Sequence, residues 1–225
     1  EFCMKLGFEL FQGYFFQKPV VLEGVTASPS QLLLLELFNE VSRESDIEII
    51  ERLFKKSPEL DIKLLNFINS ASFYLRHKIS SIRHAIMSLG YKNLQKWIAL
   101  LLFAKQGIDI KSNPLMERAA IKGIFMENMV KRITKDKSEA DSAFIAGILS
   151  VSDALLNMPM DKIVSKLNLS EEIQRALLKK EGLIGDVLSL TEMLEKEDIT
   201  GMDPILIRYN LTLEEVFQME LDSII

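Results

Sequence analysis

The stretch that decides the fold runs from residue 58 to residue 104 and reads PELDIKLLNFINSASFYLRHKISSIRHAIMSLGYKNLQKWIALLLFA. Its apolar residues recur every three or four positions, which is the spacing of an amphipathic α-helix, and no alternation of β-branched residues is present. We therefore expect a helix over about residues 61–69. Its predicted core positions are Ile62, Leu65 and Ile68.

The second half of this stretch predicts two more helices. Ser81 is a suitable N-cap for SIRHAIMSLG, and Gly90 is expected to end that helix as a left-handed C-cap. A strongly apolar helix follows and is expected to end at Gly107. Trp97 lies among apolar neighbours in this last helix, so we predict that its side chain is in the core.

Upstream of this stretch the same periodicity predicts two helices. Ser28-Pro29-Ser30-Gln31 supplies an N-cap, a proline at the first helical position and a glutamine at the third, so a helix should run to about Ser42. A second helix should begin at Asp46 and stop at Ser57-Pro58. The predicted core faces are Leu32, Leu35, Phe38 and Asn39 in the first helix, and Ile49, Ile50, Leu53 and Phe54 in the second.

Downstream, the segment GIDIKSNP is rich in helix breakers and should divide the helical region into two lobes near residues 106–113. The last segment has a capping box in Thr212 and Glu215, followed by the apolar stripe Leu213, Val216, Phe217, Leu221 and Ile224. Between these segments we expect helices at about 114–134, 139–156, 160–167, 170–181 and 184–197.

Composition places the chain among globular proteins and limits the partners that we expect. Of 225 residues, 48% are hydrophobic and 26% are charged, so the chain can bury a substantial core. The longest apolar run, Trp97 to Ala104, is far shorter than the roughly 20 residues that cross a bilayer, and no signal peptide is expected. A single cysteine, Cys3, favours a reducing cytoplasm. The net charge of −5 argues against a dedicated nucleic-acid surface.

Residues 58–104 resemble the HDOD family, the HD-related output domains of bacterial signalling proteins. The resemblance lies in a proline-leucine turn, an asparagine-serine helix end, and a leucine-glycine pair followed by a tryptophan. These features are Pro58 to Leu60, Leu64-Leu65, Ile68-Asn69-Ser70-Ala71, Ile79 to Ile82, Ala85-Ile86, Leu89-Gly90 and Leu94 to Trp97. The resemblance continues through ERAAIKGIFMENM, AFIAGILSVSDALLNMP and LNLSEEIQRALL, and it covers residues 28–200.

The first residues carry a different resemblance. GFELFQGYFFQKP is similar to the closing strand and exit of an EAL domain, the cyclic-di-GMP phosphodiesterase barrel. This implies a chain similar to the C-terminal part of an EAL-HDOD signalling protein. Gln12 matches a glutamine near the EAL substrate site, and Gly13-Tyr14 form the turn after it. Because the carboxylates that hold metal in that site belong to strands missing here, we expect no activity from Gln12 alone.

The resemblance to HD-type proteins also indicates which chemistry is missing. HD phosphohydrolases bind metal through an adjacent histidine and aspartate in a helix, and Ser150 and Val151 stand at that position in GILSVSD. Valine cannot bind a metal and a serine hydroxyl is a poor substitute. We therefore expect no HD-type hydrolysis, and Asp153 should be a solvated or locally bonded carboxylate.

Other polar residues have a structural and a functional interpretation. His77 and His84 are seven residues apart, so we expect an exposed loop residue and a helix-flank residue rather than metal ligands; His84 could still titrate near neutral pH. Asn69 and Ser70 commonly end a helix, yet they are candidates for an interaction site. Arg83 could pair with a phosphate or a partner carboxylate.

These observations predict an all-α HDOD domain of two helical lobes preceded by a short strand. We expect an EAL-like remnant over residues 1–24, the helical domain over 25–200 and an amphipathic segment over 201–225. The predicted function is that of a signalling output or adaptor module, not an enzyme and without a cofactor, which binds a partner protein in a cyclic-di-GMP or two-component pathway. Homodimerisation through the last segment is a further hypothesis.

Two alternatives stay open. The chain could be the C-terminal part of a cyclic-di-GMP phosphodiesterase whose barrel lies upstream. It could also be a sensor whose degenerate pocket binds a cyclic dinucleotide without cleaving it, and a cluster of basic side chains around that pocket would support this. Arg83, Arg118 and Lys122 are the candidates for such a cluster.

Overall fold

A computed structural model describes residues 29–70, 78–102, 114–153 and 158–224 of the chain. All regular structure in these ranges is helical, which confirms the predicted all-α fold there. The predicted strand of residues 1–24, with Gln12, Gly13 and Tyr14, lies outside these ranges and gains no support from them. The helices are α1 Pro29–Ser42, α2 Ile47–Phe54, α3 Pro58–Ile68, α4 Ile82–Leu101, α5 Pro114–Thr134, α6 Lys137–Leu149, α7 Met160–Lys166, α8 Glu171–Lys179, α9 Gly182–Glu195, α10 Ile199–Tyr209 and α11 Leu213–Asp222.

Several helices begin where a side-chain oxygen caps the first turn. The hydroxyl of Ser81 accepts from the backbone N–H of His84 at 3.2 Å, as predicted. Asp136 caps α6 by accepting from Ser138 N at 2.7 Å. Thr212 and Glu215 form the predicted capping box. Because the first backbone N–H groups of a helix lack partners within the helix, each cap fixes where its helix starts.

Two of the predicted core positions are wrong. Leu32 is 52% exposed, because α1 instead buries the stripe that includes Leu34, Leu37 and Phe38. Ile62 is 59% exposed, since α3 begins at Pro58 and buries Leu60, Leu64 and Ile68. The other predicted positions of the two stripes are buried or half-buried, so each stripe lies on the correct face and only one position of each was wrong.

The predicted helix break at Gly90 is confirmed. Gly90 has φ +74° and ψ 160°, a non-helical backbone with positive φ that a residue without a Cβ adopts readily. The range Ile82–Leu101 of α4 therefore contains two helical segments that meet in a kink at Gly90. Trp97, after the kink, is 8% exposed and stacks on Phe54 with ring centroids 6.4 Å apart, which confirms its place in the core.

The helices pack as two lobes. In the first lobe, α1, α2 and α3 pack on α4; in the second, α5 and α6 form the most extensive pair, and α9 packs across both. The lobes meet where α4 contacts α5 and α6. The predicted division at residues 106–113 lies outside the described ranges. Within those ranges no helix combines the length and apolarity needed to cross a membrane.

The C-terminal region contains a helix that the sequence analysis missed. α10 crosses the predicted boundary between residues 200 and 201, and its Met202 is fully buried. α11 packs on α5 and buries Val216. Of the rest of the predicted stripe, Leu213 packs half-buried against the core, whereas Phe217, Leu221 and Ile224 are exposed.

Candidate functional site

The helix that resembles the HD motif, α6, lies directly against α5. Gly147 is where the two backbones come closest, because a Cβ built on it would lie 2.9 Å from Gly123 Cα and 2.9 Å from the Lys122 carbonyl oxygen. Gly123 faces the side chains of Phe144 and Ile148 in return. Gly147 therefore serves the packing of α6 on α5.

The two residues at the position of the HD metal pair make local contacts only. Ser150 donates its hydroxyl hydrogen bond to the carbonyl of Gly147 at 2.8 Å, and Val151 packs half-buried against the core. Ser152 is fully buried, and its hydroxyl has no hydrogen-bond partner in the described part of the chain. The same part holds no group of three or more histidine, cysteine, aspartate or glutamate side chains suited to a metal ion.

Asn69 joins the end of α3 to the segment before α4. Its amide donates to the carbonyls of Leu65 at 2.8 Å and Ile79 at 2.7 Å, and its oxygen accepts from Ile79 N at 2.8 Å. Ser70 donates its backbone N–H to Phe67 at 3.2 Å. These bonds support the helix-ending interpretation of the asparagine-serine pair, and a role in interaction stays a prediction.

Arg83 and His84 lie in the first turn of α4. The guanidinium of Arg83 contacts the carboxylates of Glu51 at 2.9 Å and Glu48 at 3.7 Å, which ties α4 to α2. The His84 side chain is exposed, and its backbone N–H donates to the hydroxyl of Ser81. These two residues are near Asn69 along the chain but belong to the lobe opposite Ser150 and Val151. His77 lies outside the described residues.

The three basic candidates do not converge on one pocket. Arg118 and Lys122 on α5 both contact Glu195 of α9, at 3.2 and 3.5 Å, whereas Arg83 is in the first lobe. The Lys122 side chain is only 6% exposed, and burial lowers its pKa below the usual 10.5 although Glu195 and Glu192 act in the opposite direction. Since these charges are compensated within the protein, they give no basic lining for a nucleotide.

A polar contact between the lobes was not predicted at all. Lys96 of α4 extends its ammonium group to Asp141 of α6 at 2.6 Å and to Glu127 of α5 at 2.9 Å, and it lies 4.7 Å from the ring centroid of Phe144. Asn39 of α1 adds two hydrogen bonds between the lobes. We call the contacts that Lys96 and Asn39 make between the lobes the seam. The sequence signals that could have indicated this contact are a lysine in the apolar run QKWIALLLF and an aspartate in the segment EADSAFIAG.

The two hydrogen bonds of Asn39 form the second part of the seam. Its amide donates to the Lys166 carbonyl at 2.8 Å and its oxygen accepts from Asn168 N at 2.7 Å, so α1 is bound to the turn between α7 and α8. Between this turn and α4 lies a cavity of about 110 Å³, the seam cavity. Its polar lining residues are Ser42, Lys92, Gln95, Ser142, Asn168 and Ser170, together with Lys96 and Asp141.

A second cavity, of about 290 Å³, lies at the two ends of α8. It is lined by Glu171, Glu172, Glu181 and Arg175, and the Arg175 guanidinium already contacts Glu181 at 3.2 Å. The pKa of Glu172 is raised, by burial and by the nearby Glu139 and Asp136. This negative lining is unsuited to an anionic ligand.

All regular structure in the described ranges is helical. The chain belongs to the HDOD family, since the family model of the HDOD domain matches residues 32–184. This confirms the resemblance derived from the sequence motifs.

Two curated relatives give a second comparison. The chain is 34% identical over 213 residues to a protein of Vibrio cholerae serotype O1 named cyclic di-GMP phosphodiesterase CdgJ, covering 94% of this chain and 49% of the relative. It is 30% identical over 196 residues to the uncharacterized protein YuxH of Bacillus subtilis, covering 85% of this chain and 47% of that relative. The chain thus spans about half the length of these relatives. No solved structure matches it significantly.

The Vibrio relative overturns one prediction. From the missing HD pair we predicted that the chain is not an enzyme, whereas a relative aligned with 94% of it is named a phosphodiesterase and points to an enzyme. The prediction was wrong because the loss of an HD pair, which we expected at Ser150 and Val151, would exclude only HD-type metal hydrolysis. It gives no information on hydrolysis by other carboxylates and metals.

Proposed function

We propose that this chain is the HDOD portion of a cyclic-di-GMP phosphodiesterase and acts in cyclic-di-GMP signalling. The observation that carries the proposal is the similarity to the Vibrio phosphodiesterase over nearly the whole chain. The family match supports a signalling role of the helical portion. The setting that we infer is the cytoplasm, where cyclic dinucleotides act on bacterial signalling proteins.

The geometry favours a role for the helical portion in transmitting a signal to a protein partner. Its charged side chains on α5 and α9 are paired with each other, and α6 packs closely on α5 at Gly147. Three exposed apolar residues, Phe217 and Leu221 on α11 and Ile224 just after it, offer a surface for such a partner or for a second copy. The partner and the dimer both stay proposals.

The dinucleotide-sensor alternative has little support among the described cavities. The seam cavity, at about 110 Å³, is far below the roughly 300 Å³ at which ligand pockets usually begin. The larger cavity at α8 is lined by carboxylates, which repel the two phosphates of a cyclic dinucleotide.

A hydrolysis assay tests the proposed function. The complete gene product that contains this chain, and residues 1–225 alone, are each incubated with cyclic-di-GMP and Mn²⁺ or Mg²⁺, and the linear dinucleotide is measured by chromatography. We expect metal-dependent cleavage by the complete product. If neither metal supports cleavage by the complete product, the assignment to a phosphodiesterase is wrong.

Calorimetric titration of residues 1–225 with cyclic-di-GMP tests whether the helical portion itself binds the nucleotide or only transmits a signal to a partner. The absence of a heat of binding is the expected result. Saturable binding without cleavage would instead make the helical portion a nucleotide sensor.

A further inference from the structure

One of the two lysines that line the seam cavity has no counter-charge among the described residues. The other, Lys96, contacts Asp141 at 2.6 Å and Glu127 of α5 at 2.9 Å. Lys92, from the same face of α4, lines the cavity, is exposed, and forms no ion pair with any described residue. A cation that faces a polar cavity without a partner favours a ligand that carries negative charge.

A hydroxyl group from the opposite lobe completes the arrangement. Ser170 lines the cavity and accepts from the backbone N–H of Ile173 at 3.4 Å, while its own hydroxyl hydrogen is donated to no described residue. By contrast, the hydroxyls of Ser42 and Ser142 are donated to the carbonyls of Phe38 and Ser138, at 2.7 and 3.1 Å. Lys92 and Ser170 thus line the same cavity from the two lobes, and each keeps a donor without a partner among the described residues.

We propose that the seam cavity binds a small oxyanion between Lys92 and Ser170. A volume of about 110 Å³ suits an ion of the size of phosphate or a short carboxylate and excludes a dinucleotide. Because the two donors belong to different lobes, the bound ion adds a contact across the seam. The oxyanion therefore stabilises the lobe arrangement that Lys96 and Asn39 already hold.

The test uses inorganic phosphate as the probe and residues 1–225 as the protein. Thermal unfolding is followed at constant ionic strength while phosphate replaces chloride, and calorimetric titration gives the affinity. The variants are Lys92→Met and Lys92→Arg, with Lys63→Met as a matched control, because Lys63 is a surface lysine of the first lobe that pairs with Glu59 of its own helix at 2.6 Å.

Saturable phosphate binding that raises the unfolding temperature is the expected result. Lys92→Met should weaken binding about tenfold, the usual effect of losing one charge-assisted hydrogen bond, and Lys92→Arg should retain it. Non-saturable stabilisation, or an equal response of Lys92→Met and Lys63→Met, would show a general salt effect and overturn the proposal. Cyclic-di-GMP hydrolysis is a separate readout, so the phosphodiesterase assignment and the oxyanion site can fail independently.

Discussion

Helix α6 packs on its two neighbours, α5 and α4, through two different kinds of contact. Toward α5 the contact is made by Gly147 and Gly123, whose backbones approach so closely that neither position has room for a Cβ without displacement. Toward α4 the contact is made by charges, with Asp141 holding Lys96. The first contact admits one geometry only, because backbone atoms cannot move aside. The second depends on long side chains and is the part of the fold that can respond to solution conditions or to a ligand.

The largest effect is expected from a methyl group at the backbone contact. Gly147→Ala places a Cβ 2.9 Å from the Gly123 Cα and from the Lys122 carbonyl oxygen. Separating α5 from α6 to accommodate it should lower the free energy of unfolding by about 3 kcal/mol. Urea denaturation measures this loss.

Gly123→Ala is the matched variant on the facing helix. Its Cβ would meet the side chains of Ile148 at 3.0 Å and Phe144 at 3.2 Å, which can shift their rotamers. Its cost should therefore be smaller, about 1 kcal/mol. Equal costs for the two variants would mean that the backbones are free to separate, and the comparison between the two sides of α6 would lose its basis.

The next effect concerns the charged side of α6. Lys96→Met keeps the aliphatic stem near Phe144 but leaves Glu127 and the largely buried Asp141 without their cation. Because Asp141 retains only 10% exposure, we expect a loss of about 2 kcal/mol, below the range for fully buried pairs. The control Lys63→Met removes a surface pair within one helix and should cost less than about 0.5 kcal/mol. Similar losses in both variants would show that the seam is no stronger than a surface ion pair.

Local sequence signals were enough to predict the helices but not the contacts between them. The caps at Ser81 and Thr212 were predictable because a cap depends on neighbours within one turn. The burial of Leu32 and Ile62 was predicted wrongly, since an apolar-rich helix has several faces that could serve as its core side and only its packing partners select one. α10 was missed because Gly201 and Pro204 lower its helix propensity, while burial of Met202 and Ile205 stabilises it.

The candidate site shows the same limit. The family match confirms the HDOD resemblance, whereas the assignment of Ser150 and Val151 to the HD metal position stays a prediction. The seam could not be predicted, because Asn39 and Asn168 are 129 residues apart along the chain. No periodicity within one helix indicates which polar side chains meet across two lobes.

Asn39 provides a test of the neutral part of the seam. Asn39→Ala removes both hydrogen bonds to the turn between α7 and α8 and should cost about 1 kcal/mol, with the partner groups partly rehydrated. Asn93→Ala is the control, because the Asn93 amide donates only to the Leu89 carbonyl of its own helix at 2.8 Å. Hydrogen exchange near Lys166 and Asn168 should increase in the first variant alone. Unchanged exchange there would show that α1 does not hold this turn.

The smallest effect is confined to alkaline solution and concerns Lys122, at the far side of α5. Burial lowers its pKa in the folded protein below the 10.5 of the unfolded chain. Between these two values the unfolded chain binds more protons than the folded protein, so the free energy of unfolding rises with pH in that window. Lys122→Met should remove this rise. Glu195→Gln should move its onset to lower pH, because Glu195 is the main charge that raises the Lys122 pKa.

Urea denaturation at several values between about pH 8 and pH 10.5 measures the slope for each variant. Lys131→Met, at an exposed position near the end of the same helix, should retain the slope of the unmodified chain. A slope that survives in Lys122→Met would assign the alkaline stabilisation to another group. If the slope disappears, α5 carries a charge that is tolerated because Glu195 faces it, whereas at the glycine contact on the same helix a Cβ displaces its neighbours. The difference between a rigid and an adjustable contact would then hold along α5 as well as along α6.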